Sequence, residues 1–230
     1  MLSRDVVTLQ TKPFSYGYID DILIEPGLLD YFPPVEVFNK MKGKASGYGH
    51  EKWHLNRGKK EFRPYLGPFL PFFRWIAGDG FRDWGRSVFD VRADDGRMEF
   101  SSLVTNGGYL FPHTDSDVKV LSIVIYHSGV PAPTEFAPKQ EGPWTPVPWK
   151  INRGVWMIKN DDSWHQVPVF TGPEGEYRNT LTLNLVQSKR KHRQNVGGEE
   201  RQFKKNPTRK KVKKINIKRH PELWEDEGET

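Results

Sequence analysis

The chain reads as a mainly β protein, a sandwich or barrel with a helical support ahead of it. Three observations lead there. Short apolar runs with strand character crowd the second half, at MEFSSLV (98–104), KVLSIVIY (119–126), GVWMIK (154–159), HQVPVF (165–170) and RNTLTLNL (178–185), separated by Gly, Pro and Asp. The better helical signals lie before them, in 68–91. Finally, 21 Gly and 18 Pro favour strands and turns over a helix bundle.

Taken in order, residues 1–20 read as a lead-in strand. IEPGLLDYF (24–32) has the apolar spacing of a short helix, stopped by Pro33 and Pro34. Residues 42–64 are rich in Gly and Lys and read as an irregular loop. Within 68–91, Asp79 is placed to cap a helix whose Phe81, Trp84 and Val88 fall on one side. The last strand has a period of two. Arg178, Thr180, Thr182 and Asn184 share one face, and Leu181, Leu183 and Leu185 the other. Its polar face belongs either in water or against a cavity that holds a charged ligand.

At 230 residues the chain fits one domain with a tail, and 14 Phe, 8 Trp and 8 Tyr supply a core. It has no cysteine, which excludes disulfides and thiolate metal sites. No apolar run has the length of a signal peptide or a bilayer span, so a cytoplasmic, reducing location is expected. The net charge of +6 is unevenly spread. Residues 189–219 hold 14 Lys/Arg against two acids, and 220–230 hold five acids and no Lys or Arg, which leaves the body near −1. The basic stretch suits phosphate contacts with nucleic acid or another polyanion. Phe203 is its sole aromatic residue, so base stacking is poorly supplied and a solvated extension is the plainer reading.

Four residues carry the chemistry: His113, Asp115, His165 and Arg178. Two imidazoles and a carboxylate can hold one Fe(II) on a triangular face and leave other positions open. An arginine can hold a dicarboxylate by a forked ion pair. His113-Thr114-Asp115 at a strand edge sends both ligands to one side. His165 follows far enough on for intervening strands to return it beside His113. A pair of hydrogen-bonded structural histidines is the alternative. Asp117 reads as a solvated loop acid, and His127 as a structural residue at a strand end. A rival motif, His50-Glu51-Lys52-Trp53-His54, matches a zinc-peptidase signature. That chemistry needs a helix, and the flanks GKASGYG and LNRGKK make a poor one.

With His113-x-Asp115, distal His165 and Arg178-x-Thr180, in the contexts YLFPHTDSDVKVLSIVIYHS and DSWHQVPV, the sequence resembles the Fe(II)/2-oxoglutarate-dependent oxygenase superfamily over roughly 97–187. The resemblance implies a double-stranded β-helix, a jelly-roll, cupin-like barrel. It implies Fe(II) on His113, Asp115 and His165, with 2-oxoglutarate held by Arg178 aided by Thr180, O2 as oxidant and ascorbate as reductant. Tyr126, Tyr109 and Lys119 are further candidates to line the cosubstrate pocket. The presence of Asp115 argues for hydroxylation over halogenation. The expected organisation is one oxygenase domain over 1–188, comprising an N-terminal support (1–96) and a β-helix core (97–188), followed by the tail 189–230. The segment HSGVPAPTEFAPKQEGPWTP departs from the Gly-Gly-acid pattern of many members, which leaves the substrate-facing region open. Trp144, Trp149, Trp156 and Trp164 read either as a wall over the site or as core. A small molecule such as an amino acid or a natural-product intermediate is the expected substrate. A peptidyl, prolyl-type substrate is the runner-up, and a non-catalytic polyanion binder that uses the tail is the alternative of another class.

Overall fold

A computed structural model describes residues 1–25, 27–41, 49–56 and 64–187 of the chain. The tail 188–230, with every contact expected of it, lies outside the described residues. No helix among the described residues is long and apolar enough to cross a membrane.

The helical support is a pair, α1 (Phe69–Ala77) and α2 (Asp79–Phe89). Gly78, in an extended conformation, separates them and caps α2. Asp79 is therefore not the cap that the sequence suggested. It is the first helical residue, where its carboxylate favours the positive helix end and pairs with Arg82 one turn on. Phe81 and Trp84 are buried and Val88 packs beside them, as their spacing predicts. Asp90, in the left-handed region at φ 53°, ends the helix. Gly85 lets α2 approach the sheet closely, since a Cβ there would lie 2.2 Å from Leu185 Cδ1.

Thirteen strands form two antiparallel sheets among the described residues. The N-terminal ones are β1 (Val6–Gln10), β2 (Tyr16–Ile19), β3 (Asn39–Met41), β4 (Gly49–His50) and β5 (Lys52–Asn56). Then come β6 (Asp95–Val104), β7 (Tyr109–His113), β8 (Lys119–Gly129), β9 (Thr134–Ala137), β10 (Thr145–Val147), β11 (Gly154–Ile158), β12 (Trp164–Val167) and β13 (Tyr177–Val186). The larger sheet runs β1-β2-β11-β8-β13-β6-β5-β3, and the smaller β10-β9-β12-β7-β4. From β6 onward the chain crosses between the sheets, placing β6, β8, β11 and β13 in one and β7, β9, β10 and β12 in the other. That is the double-stranded β-helix.

β13 lies between β8 and β6 and divides its two faces as its period of two predicts. Leu181, Leu183 and Leu185 are fully buried under the helices with Phe69, Phe72, Ile76 and Phe81. Each such side chain contributes about 1.5–3 kcal/mol. The polar face turns toward the smaller sheet, where Arg178 reaches β9.

Three local expectations change. The described residues of IEPGLLDYF, 24–25 and 27–32, form turns and bends rather than a helix, with Gly27 at φ +80°, a conformation no helix contains; a short 3-10 turn follows at Val35–Val37. The stretch read as a loop at 42–64 contains β4 and β5, which the rest of the barrel holds by pairing with β7 and β6. The lead-in is two strands, β1 and β2, paired antiparallel.

Candidate metal centre and anion pocket

β7 and β12 are antiparallel neighbours, and His113 lies directly opposite His165. Their rings sit 4.1 Å apart between centroids, inclined at 50°. Asp115, just beyond β7, completes a group whose ligand atoms all lie within 4.8 Å of one another. The zinc-type motif forms no such group. His50 is on β4 and His54 on β5, with Glu51 between them at φ 46°, so the helix that motif requires is absent.

Hydrogen bonds aim both imidazoles. His113 Nδ1 is 2.6 Å from Phe111 O, and His165 Nδ1 is 3.1 Å from Ser163 O. A carbonyl only accepts, so each Nδ1 carries the proton and each Nε2 keeps its lone pair. This is the tautomer a divalent metal takes, with the backbone orienting the ligand. Burial drives the His113 imidazole down to about 3, helped by His165 and opposed by Asp115. Burial also lowers His165, against the pull of Asp115. Both rings are therefore neutral donors at ordinary pH.

Asp115 is ionised. Burial works to raise its carboxyl, but the Lys119 ammonium, His165 and the hydroxyl of Ser122 override it and hold the group well below the usual carboxylate range. Lys119 Nζ donates to Oδ1 at 2.6 Å and Ser122 Oγ to Oδ2 at 2.6 Å. Ser122 also lies 2.9 Å from Asn184 Oδ1, on the polar face of β13. Asp117, two residues on, is exposed, as expected of a loop acid.

Arg178 is buried at 2 % exposure, and burial lowers its affinity for the proton while Tyr126 opposes the shift. A guanidinium stays charged even so. It donates from Nε to Ala132 O at 2.9 Å and from Nη2 to Thr134 Oγ1 at 3.0 Å. Its plane lies over the rings of Tyr126 and Trp149, 5.3 and 5.5 Å from their centroids. No carboxylate among the described residues is paired with it. A buried cation held only by neutral groups is costly and suits an anion that arrives from outside.

The other expected residues divide. Tyr126 is fully buried and stacks on Trp149, but its hydroxyl is committed, accepting from Thr134 N–H at 2.7 Å and donating to Val147 O at 3.2 Å. Both its ring and its oxygen lie beside Arg178. The Thr180 hydroxyl points to Ser101 O at 3.4 Å. Tyr109 stacks on His50 and meets Phe111, while its neighbour Leu110 joins an interior cluster. Lys119 contacts Asp115. His127 donates from Nε2 to Leu28 O at 2.8 Å, a structural role. Of the tryptophans, Trp156 belongs to the core under the helices and Trp149 to the arginine pocket. Sequence reasoning missed Ser122, Thr134 and the Ala132 carbonyl. A lone serine inside the apolar run VLSIVIY was the available signal for the first.

The residues fit a ferrous ion: two neutral imidazoles on paired strands, one carboxylate just beyond β7, close spacing and no thiolate.

No family model matches the sequence, and no curated protein matches it. Solved structures are similar to it. A prolyl 4-hydroxylase from Phytophthora capsici superposes with a TM-score of 0.51 at 15% identity, covering 76% of this chain and 59% of that one. The viral collagen prolyl hydroxylase of Paramecium Bursaria Chlorella virus-1, in its 2OG complex, is similar at TM-score 0.49 and 11% identity, over 75% of this chain and 96% of that one. A 2OG-Fe(II) oxygenase family oxidoreductase from Burkholderia pseudomallei is similar at TM-score 0.45 and 15% identity, over 60% and 70%. The first of these places the architecture with the double-stranded β-helix of that oxygenase fold.

Proposed function

We propose that the protein is an Fe(II)- and 2-oxoglutarate-dependent oxygenase that hydroxylates a C–H bond of a small molecule such as an amino acid or natural-product intermediate. The observation that carries this is the buried His113–Asp115–His165 group in the same barrel as a buried Arg178 lacking a carboxylate partner among the described residues. The overall change is balanced: substrate, O2 and 2-oxoglutarate give hydroxylated substrate, succinate and CO2.

Bound iron would supply oxygen activation coupled to decarboxylation of the keto acid. The chain supplies the rest. The Nε2 atoms of His113 and His165 and the carboxylate of Asp115 are the ligands, and Ser122 keeps Asp115 turned toward the histidines. Arg178 holds the far carboxylate of 2-oxoglutarate, and Thr134, the Ala132 carbonyl and two aromatic faces fix the guanidinium before that anion arrives. Thr180, on the same strand face, is the proposed second contact. Preorganised donors of this kind cost little further ordering on binding. The buried cluster of Phe14, Tyr16, Tyr126, Phe136, Val147, Val155 and Met157 excludes water from one flank. Ascorbate would serve as external reductant, and a cytoplasmic setting suits a ferrous site. We assign residues 1–188 to the oxygenase domain and 189–230 to a separate tail.

The prolyl 4-hydroxylase name of the Phytophthora capsici structure makes a peptidyl proline the second candidate substrate. The test is an anaerobic Fe(II) titration followed by 2-oxoglutarate and air. One iron per chain and release of succinate support the reading, and absence of both overturns it.

A further inference from the structure

The barrel has two unlike flanks on either side of the Arg178 strand. Register fixes which residues face inward. Arg178, Thr180 and Thr182 on β13 lie beside Leu103, Ser101 and Glu99 on β6. Leu103 and Ser101 in turn lie beside Lys52 and His54 on β5. All of these positions share the polar face, because the alternate residues Phe100, Met98 and Leu55 belong to the core under the helices. In the other direction, through β8, β11 and β2, the inward positions are mostly apolar, with Tyr126, Val155, Met157 and Tyr16 buried, Val124 and Tyr18 half-buried, and Ser122 the polar exception beside Asp115. Beyond Arg178, Leu103, Leu110, Val130, Ala132, Val167 and Phe170 close the end of the barrel. The β5–β6 flank, by contrast, carries a charged pair and is partly open.

Lys52 Nζ meets Glu99 Oε1 at 3.0 Å, with side chains 18% and 28% exposed, and Ser101 Oγ donates to the same Oε1 at 2.9 Å. Glu99 is the register neighbour of Thr182, midway along β13 between Arg178 and Asn184, the residue linked through Ser122 to Asp115. The pair thus stands beside the strand that links the proposed anion anchor to the proposed metal ligands.

We propose that Lys52 and Glu99, with Ser101, form the head-group subsite for the primary substrate, and that this substrate is a free α-amino acid. The inference rests on the oxygenase reading above. An ion pair of this kind offers one cation and one anion side by side. A zwitterion carries its ammonium and carboxylate at a similar spacing and can answer both at once, its carboxylate on Lys52 and its ammonium on Glu99. An interior peptide residue carries neither charge. The subsite therefore separates the two substrate classes that the metal centre alone does not.

The test uses the full chain with Fe(II), 2-oxoglutarate and ascorbate. Succinate release is measured against a panel of free L-amino acids and their N-acetyl amides. At least one free amino acid should raise succinate formation about tenfold over the substrate-free rate, while its capped form does not. Glu99→Gln and Lys52→Met should each raise the KM for that amino acid at least about tenfold, since each leaves one charge of the head group unanswered. Should either variant fail to fold, Glu99→Asp or Lys52→Arg replaces it, with a smaller KM change in the same direction. Equal stimulation by capped forms, no stimulation by any free amino acid, or a KM unmoved by the variants overturns the subsite and leaves the oxygenase reading intact. If the unaltered protein binds no iron and forms no succinate, both fall.

Discussion

His113 and His165 are separated along the chain by most of the barrel, yet they are direct cross-strand partners, with rings 4.1 Å apart. Antiparallel pairing of β7 with β12 produces this, so the two imidazoles of the candidate metal centre are placed by strand register rather than by a loop. Ligands carried on paired strands keep their spacing before any ion binds.

Replacing either histidine by alanine should abolish stoichiometric metal binding, with affinity falling by more than about 100-fold, beyond what loss of a supporting contact costs. Anaerobic calorimetry with Fe(II), with Co(II) as a spectroscopic substitute, checks this. Near-normal affinity in His165→Ala would remove β12 from the site.

Ser122→Ala removes a supporting contact rather than a ligand. Asp115 keeps Lys119 but loses the hydroxyl that fixes its second oxygen. Metal affinity should drop about 10–100-fold. The same titration decides it, and an unchanged affinity would show that Lys119 alone orients Asp115.

Arg178→Met should weaken 2-oxoglutarate binding by about 2–5 kcal/mol, the usual cost of unpairing a buried charge. Thermal stability should hold or rise, because the free protein no longer buries an uncompensated cation. Calorimetric titration with 2-oxoglutarate, set beside a melting curve, tests both halves. Unchanged cosubstrate affinity with lost stability would make Arg178 structural.

Acid should destabilise the fold through its buried histidines. Burial lowers His127 below its ordinary value, while its bond to the Leu28 carbonyl works the other way. Hence the unfolded chain takes up the proton first. The folded state is favoured fully above the unfolded value of about 6.5 and loses that advantage as pH falls toward the folded value. His113 and His165 have the same sign. Urea midpoints at pH 7.5, 6.5 and 5.5 should therefore decline, and less steeply in His127→Gln. An equal slope in that variant would mean that His127 does not contribute.

Gly85→Ala sets a gain against a clash. Alanine favours the helix by about 1 kcal/mol. The added methyl, however, would lie 2.2 Å from Leu185 Cδ1, which belongs to a fully buried side chain. Overpacking typically costs about 1–3 kcal/mol, so the melting temperature should fall. A rise would show that Leu185 has room to turn.

Much of this was legible before any coordinates. The alternation in RNTLTLNL placed Arg178 opposite the core leucines, and His113, Asp115 and His165 meet as expected. The misses have physical causes. β4 and β5 have too little apolar alternation to stand out, and the pairing partner that holds them comes much later in the chain. The neighbours of Arg178 on and before β9 were invisible because they arrive from the opposite sheet, across a Pro-rich segment. Gly78 displaced Asp79 from the cap because an extended glycine can begin a helix without a side-chain bond.

The two-faced character of β13 limits how this scaffold can change. Inserting or deleting a single residue just ahead of Leu181 would exchange inside for outside along the rest of the strand, turning the leucines toward the smaller sheet and Thr182 and Asn184 toward the helices. Length changes there would damage folding and chemistry together. Natural or laboratory variation in this strand should accordingly proceed by point replacement, with indels confined to the turns that flank it.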